Sequence, residues 1–327
     1  MSDYYGLLPI NLSGLETTSI LGRAGKVKVD NFARQYKPAS GLTGLLDSLP
    51  RFLAAEDFRS VIAAILRARS EGKPIIWGMG GHVIKCGLAP VLIDLMNHGF
   101  ATAFAMNGSA SIHDFEIGIA GNTSEDVDAL LTDGSFGAAE ETGRGWNNAL
   151  VASCGLGESL GMALQNLADP RFHDHCLLFQ AWRKKIPVTV HAAIGTDTTH
   201  IHPAVDPAVL GSATHKDFLL FAALVEKLNR GGVYINLGSA VILPEVFLKA
   251  LSLVRNLGKK VEAFTTVDFD FLQQYRPRTN VVQRPHSGQT GAGGQGFAIT
   301  GHHELMIPLL AACLLDKIRH TGKIFPK

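Results

Sequence analysis

The groups of this chain that could do chemistry are histidines and small polar residues, gathered where apolar runs end. Gly78-Met79-Gly80-Gly81-His82 follows the run Pro74-Ile75-Ile76-Trp77, and Asn107-Gly108-Ser109-Ala110-Ser111-Ile112-His113-Asp114 follows a second run, Phe100 to Met106. N–H groups of Gly80 and Gly81 approaching a pyrophosphate, with Lys85 one turn further on, would bind a nucleotide. The first loop lacks the full GxGxxG spacing, so a tight turn beside an ordinary surface lysine explains it equally well. The amide and hydroxyls of Asn107 to Ser109 suit a ribose or an amide edge. His113 and Asp114 either orient one another or cap the next helix.

His200-Ile201-His202 sets two imidazoles on one side of an extended segment, with Asp197 and Asp206 nearby. That is half of a zinc set, and His302-His303 would have to complete it. With no HExxH pair and no cysteine cluster, no metal is expected, and these residues read as the polar lining of a cleft. The polar, glycine-rich stretch His286 to Gln295 has no GxxxxGK[ST] lysine, which excludes a P-loop. It reads as a mobile lid or substrate loop, with a disordered surface loop as the alternative. His286 and His200 are the expected general acid or base. No GxSxG elbow, kinase set or paired-carboxylate signature names a reaction.

Loops of this kind need strands that all end on one side of a sheet. Phe58, Val61, Ile62, Ile65 and Leu66 keep helical spacing, closed by Gly72. The strand at 74–77, an amphipathic segment Val83 to His98 and the strand at 100–106 follow. Ser124-Glu125-Asp126 suits the start of a short helix through Leu131. Trp146 to Ala168 reads as helix, within a helical excursion at about 132–185. Strands are predicted at 187–193, 233–237, 261–267 and 296–300, and helices at 218–228, 246–257 and 305–317. Such alternation predicts an α/β fold with a doubly wound, mostly parallel sheet. Its ligands would sit beyond the carboxyl ends of the strands. Residues 1–50 read as an arm or lead-in, and 51–327 as a single α/β nucleotide-binding domain.

The chain has 327 residues, 46% of them hydrophobic, enough for a large core. Thirty basic against 29 acidic residues, a net charge of +1, leave no footprint for nucleic acid or an acidic membrane. Cys86, Cys154, Cys176 and Cys313 are far apart and read as reduced thiols, so a cytoplasmic protein is expected. No uninterrupted apolar run reaches the roughly 18–20 residues of a membrane span, and Met1-Ser2-Asp3 is no signal peptide.

The segment Gly78 to Asp114 resembles, without a gap, the first nucleotide-binding unit of the deoxyhypusine synthases. In that family one strand ends in a Gly-x-Thr-Ser-Asn turn. The next ends in Thr-Gly-Ala-Asn or Thr-Ala-Gly-Gly, followed by His-Asp or Glu-Asp, as at His113-Asp114. Trp182 to Pro187 and Thr196-Asp197 resemble the stretch leading through Ile-Pro-Val to Thr-Asp-Gly-Ser. Leu237-Gly238-Ser239-Ala240-Val241 is similar to Leu-Gly-Gly-Gly-Val. Thr266 and Asp270 stand where the family has Thr and then Phe-Asp, and Ile307-Pro308-Leu309-Leu310 resembles its Phe-Pro-Leu-Leu helix. The likeness covers roughly residues 74–316.

The resemblance implies NAD held by Gly80, Gly81, His82, Lys85, Asn107, Gly108, Ser109, His113, Asp197, Gly238, Ser239, Thr266, Asp270 and His302. It also implies a homotetramer with sites shared between subunits, and aminobutyl transfer from spermidine to a lysine of a translation factor. That transfer runs through an enzyme lysine in a Ser-Trp-Gly-Lys segment. Here Arg276 to Gln295 holds neither lysine nor tryptophan, and no lysine lies between Lys260 and Lys317. The acidic polyamine-holding stretch is replaced by Asp270-Phe271-Leu272-Gln273-Gln274, and the family's His-His by Pro244-Glu245. The expectation is a divergent NAD-dependent enzyme acting on a small substrate, a transferase or oxidoreductase that is not itself a deoxyhypusine synthase. The alternative is a non-catalytic nucleotide-binding subunit.

Overall fold

The structure is a computed structural model that describes residues 6–288 and 293–320. Six strands, β1 (Ile75–Met79), β2 (Ala103–Asn107), β3 (Val188–His191), β4 (Val233–Leu237), β5 (Thr265–Asp270) and β6 (Gln295–Thr300), form one sheet. Their order is β3-β2-β1-β4-β5-β6 and every pairing is parallel. All five residues of β1 and of β4 are buried, as continuous apolar runs in a sheet covered on both faces should be.

Twelve α-helices accompany the strands among the described residues. They are α1 (Gly41–Ser48), α2 (Leu53–Ser70), α3 (Gly81–Lys85), α4 (Ala89–Asn97), α5 (Gly108–Ala120) and α6 (Val127–Leu130). Then come α7 (Glu140–Asn148), α8 (Leu156–Leu167), α9 (Leu177–Arg183), α10 (Pro207–Glu226), α11 (Ile242–Asn256) and α12 (His303–His320). One core layer joins α2, α4, α5, α8, α9 and α12 to the face carrying Trp77, Phe104, Met106 and Ile235. Trp77 is fully buried and satisfies its indole by donating to the Phe100 carbonyl at 2.8 Å. The other layer packs α10 and α11 on Ile76, Ala103, Ala105 and Tyr234. Tyr234 lies flat against Phe247 there, centroids 4.1 Å apart.

Element boundaries depart from the sequence reading for local reasons. The segment 83–98 is two helices, because Gly87 turns left-handed (φ +73°) and Pro90 starts α4. Trp146 to Ala168 is likewise divided between α7 and α8. Asp126 rather than Ser124 caps α6, accepting from the Ala129 N–H. Strand β5 starts at Thr265, since Ala263 at φ +50° takes the preceding residues out of the extended conformation. Asp206 caps α10 by accepting from the Ala208 and Val209 N–H groups, so that helix starts well before Phe218. By length and composition α10 could cross a membrane, although His215, Lys216 and Asp217 interrupt its apolar run. Here it packs Leu210, Ala213, Phe221 and Val225 into the core. Residues 6–40 are nearly all exposed, whereas α1 docks on α12, with Thr43 Oγ1 donating to Asp316 Oδ2 at 2.7 Å.

Candidate functional site

Strand β1 is followed by helices on one face of the sheet and its neighbour β4 by α11 on the other, so the order switches between them. In a doubly wound sheet a crevice opens at that point. The two turns there touch. The Gly80 N–H donates to the Leu237 carbonyl at 3.0 Å. A Cβ on Gly80 would lie 2.5 Å from the Gly238 carbonyl oxygen. Gly238 itself is left-handed (φ +57°), and a Cβ there would meet the His303 ring at 2.6 Å. One strand over, a Cβ on Gly81 would stand 2.2 Å from Ser109 Oγ, and one on Gly108 would stand 2.0 Å from Asp197 Oδ2. Gly80, Gly81, Gly108, Ser109, Asp197 and Gly238 are thus brought together by close contacts, backbone to backbone at Gly80 and backbone to side chain at Gly81, Gly108 and Gly238, that leave no room for a Cβ.

Beside the switch point is a cavity of about 210 Å³ whose wall includes Lys85, Ser109, His113, Glu116, Asp197 and Thr198. A relay of hydrogen bonds orders its polar side. Thr123 donates its hydroxyl proton to Glu116, so its oxygen must accept from His113 Nδ1–H at 2.6 Å. That fixes the proton on Nδ1 and leaves Nε2 a bare acceptor, with no protein partner among the described residues. Glu116 also accepts from Thr142 at 2.9 Å. Burial pushes the Glu116 carboxyl up, but the bonds from His113, Thr123 and Thr142 outweigh it and hold it below the ordinary carboxylate range. Asp114 does not take part: it turns away and accepts from the Leu177 and Leu178 N–H groups at the start of α9.

Asp197 accepts from the Ala193 N–H at 3.3 Å and from the Thr196 hydroxyl at 3.4 Å. Burial raises its carboxyl, opposed by the Ala193 bond and by His200. His200 stands behind it. The Nδ1 of His200 accepts from the Gly195 N–H, and its buried Nε2 faces Asp197 Oδ2 at 3.8 Å without a hydrogen bond.

Across the switch point, rings collect at the ends of β1, β5 and β6. The His82 ring lies 5.5 Å from both Phe271 and His303, and Phe271 stacks on His302 at 6.0 Å. His303, fully buried, donates Nε2–H to the Phe269 carbonyl at 3.0 Å, which leaves Nδ1 bare and unpartnered. Burial lowers His82, and the neighbouring His303 adds to it. Asp270 closes β5, its Oδ1 accepting from the Phe271 N–H at 2.8 Å.

Other expected site residues are placed differently. Asn107 and Ser239 have their side chains taken up by helix starts, accepting from the Ala110 and Leu243 N–H groups. His200 lies behind the cavity wall, which corrects its expected place in contact with substrate. Thr266 and His286 are at the amino edge of the sheet. In a parallel sheet any segment leading into a strand must return to that edge, and Thr266 opens β5 while His286 leads into β6. His286 Nε2–H donates to Thr266 Oγ1 at 2.7 Å, and Thr266 donates to the Val281 carbonyl at 2.6 Å. Burial takes His286 down to about 4, with the Arg255 charge adding to the shift. The expected lid, His286 to Gln295, therefore flanks the wrong edge; its residues 289–292 lie outside the described residues. The half-set of zinc ligands does not assemble either. His202 bonds Glu140 Oε2 at 3.0 Å and accepts from the Ala204 N–H. It follows β3 while His302 follows β6, and these edge strands are about 24 Å apart across five strand spacings.

Sequence reasoning missed Glu116 and Thr123, although His113 and Glu116 stand one helical turn apart, a spacing that lets them meet. It also missed Phe271 and the buried Asp268.

Neither a protein-family profile nor a curated protein sequence matches this chain. Solved structures do. A candidate LOR/SDH protein from Methanococcus maripaludis S2 superposes with TM-score 0.51 at 15% identity, over 81% of this chain and 71% of that one. A candidate deoxyhypusine synthase from Entamoeba histolytica superposes with TM-score 0.50 at 13% identity, over 87% and 96%. AgrE, in its ternary complex with ornithine and NAD+, gives TM-score 0.50 at 15% identity. There the match covers 81% of this chain but 33% of AgrE, so the chain spans about a third of that protein. At such identities the likeness is one of architecture: this chain has the doubly wound α/β fold that these proteins share.

Proposed function

We propose that the chain is a divergent relative of the deoxyhypusine synthases that binds NAD across the β1–β4 switch point and acts on a small substrate without a covalent lysine. The observation that carries this reading is the meeting of the Gly80 and Gly238 turns at the switch point, with a polar cavity alongside. AgrE, a third of which superposes on this chain, is known in a ternary complex with ornithine and NAD+. Close backbone approach at Gly80, Gly81 and Gly108 suits a pyrophosphate and sugar, and Lys85 on the cavity wall supplies positive charge. About 210 Å³ is less than the roughly 300–1,000 Å³ of a pocket for a drug-sized ligand. The cavity therefore takes one fragment, a nicotinamide or an amino-acid-sized substrate, and the rest of a dinucleotide lies in the open crevice.

NAD, when bound, supplies a hydride acceptor. His113 Nε2 is the acceptor for a substrate proton, and the positive charge that then develops on the ring is stabilised through Thr123 by Glu116. Asp197 orients a polar group of the substrate, and the Ala193 N–H and Thr196 hydroxyl hold Asp197 in place. No lysine is available at residues 261–316 for an imine.

The test is thermal unfolding of the purified chain with NAD, NADH, NADP and ATP. At a hundred times Kd a ligand stabilises by about 2.7 kcal/mol. NAD or NADH should raise the midpoint, His113→Gln should abolish turnover while keeping that shift, and a deoxyhypusine synthase assay should be silent. Stabilisation by none of the four removes the dinucleotide reading. Tight binding without hydride transfer to any amine or alcohol favours a non-catalytic nucleotide-binding subunit.

A further inference from the structure

The turn after β1 and the start of α12 bring together His82, Cys86 and Glu304, of which only His82 is among the residues expected to hold a nucleotide. His82 and Cys86 are four residues apart on one helical turn, held by the Cys86 N–H donating to the His82 carbonyl at 2.9 Å. His82 Nε2 lies 3.2 Å from Cys86 Sγ. From the other side of the crevice, Glu304 in the first turn of α12 brings Oε2 to 3.8 Å from the same sulfur. The three ligand atoms all lie within 4.8 Å of one another. A tetrahedral zinc with bonds of about 2.0–2.3 Å separates its ligands by about 3.3–3.8 Å, so two of the three edges are already near that length.

We propose that His82, Cys86 and Glu304 form a binding site for a zinc-class transition metal ion. A thiolate, an imidazole and a carboxylate are the donor set such an ion favours over magnesium or calcium. Three protein ligands leave one position open to water or substrate, the arrangement of reactive rather than structural zinc. The surroundings support it. His302 Nδ1 is 3.8 Å from Glu304 Oε1, the oxygen that does not contact the sulfur, which leaves Oε2 for the metal. The buried ring of His303, with its bare Nδ1, stands 5.5 Å from the His82 ring and limits where that imidazole can go. The site also links two elements far apart in sequence, so the ion would fasten the β1 turn to α12 at the mouth of the crevice.

The ordinary alternative is a thiol hydrogen-bonded between an imidazole and a carboxylate on the surface. Cobalt separates the two, because a cysteine thiolate on Co²⁺ gives a sulfur-to-metal charge-transfer band in the near ultraviolet. The full-length, chelator-treated chain is titrated with Co²⁺ and then Zn²⁺ without nucleotide. One Co²⁺ per chain should bind with that band, and Zn²⁺ should displace it. Cys86→Ser should lose the band, His82→Gln and Glu304→Gln should each weaken binding at least about tenfold, and Cys154→Ser should change nothing. Absence of the band in the parent chain, or a band that survives Cys86→Ser, overturns the proposal. Circular dichroism of each variant shows that a lost band is not lost folding. No arm of the test uses NAD, so the metal and cofactor readings fail separately.

Discussion

Asp268→Asn tests whether burial governs the carboxylates of this sheet. Asp268 of β5 is in register with Asn236 of β4, whose Nδ2 donates to Asp268 Oδ1 at 2.7 Å. Its Oδ2 is buried without a partner, as is the nearby Tyr234 hydroxyl. Burial raises the Asp268 carboxyl from 3.8 to about 7; the Asn236 bond opposes the rise and Asp270 adds to it. A group whose folded-state value lies above its unfolded value favours folding while it is protonated. That contribution is complete below about pH 4 and is lost as pH climbs through 7. The full shift, at about 1.36 kcal/mol per unit, corresponds to about 4 kcal/mol as an upper limit, and relaxation of the site brings a realistic figure to about 2 kcal/mol. Asparagine removes the charge, keeps Oδ1 for Asn236, and offers an N–H toward the Tyr234 oxygen. With an unfolding entropy of about 2.1 cal/mol/K per residue, 1 kcal/mol moves the midpoint by about 1.5 °C in a chain of 327 residues. At pH 8 the variant should melt about 3 °C above the parent, and the gap should shrink as pH falls through 7 and close toward pH 4. Asp114 and Asp217, raised to about 6 and about 7 by the same burial, should keep some slope in both proteins. A variant that melts below the parent at pH 8, with an unchanged pH slope, would show that Asp268 is ionised and paired, and the burial argument would fail.

Gly80→Ala places a Cβ 2.5 Å from a backbone oxygen that cannot swing aside, so both turns must part; a lower melting point and loss of the NAD-induced shift should appear together. Glu116→Gln takes the charge from behind Thr123 and His113, and should lower turnover about 10- to 100-fold with little change in NAD affinity, read from kcat against KM. Thr266→Val deletes two hydrogen bonds and strands the buried His286 Nε2, at a cost of about 1–3 kcal/mol by urea titration. Because both residues are at the amino edge, NAD binding should be unaffected, and a loss of affinity in folded Thr266→Val would return them to the site.

The architecture was legible because each level of the sequence agreed with it. Runs such as Ile75 to Met79 are apolar without alternation, which only a doubly covered parallel strand tolerates, and helical patterns separate them. What failed were ends. Gly87 and Ala263 break their segments through left-handed backbone, and a residue's identity hardly announces that when the residue is alanine. Asp206 and Asp126 were visible as acids but not as caps, since capping depends on where the first N–H groups point.

The site was legible only as far as it follows from topology. Looking beyond the carboxyl ends of strands places Gly80, Gly108, Asp197, Gly238 and Asp270 at one edge of the sheet, where the structure has them, because a strand has one such end. It misplaced Thr266 by the few residues that separate the start of β5 from its end, and His286 because a resemblance at a loop does not say which edge the loop follows. The relay at His113 was hidden for a different reason. Its members come from a helix and from the turn after it, and their order rests on Thr123, a residue type that is unremarkable in sequence. The glycines carry the last lesson. Gly80 and Gly81 read as room for a pyrophosphate and the Gly108 turn as a ribose or amide contact, yet each glycine is first a contact between the protein's own segments: Gly80 with Gly238, Gly81 with Ser109, Gly108 with Asp197. A ligand at this switch point therefore meets a floor already closed by the protein's own groups, the Gly238 backbone and the Ser109 and Asp197 side chains. Its specificity must come from the walls, where His82, Lys85, His113 and His302 differ in kind from one side of the crevice to the other.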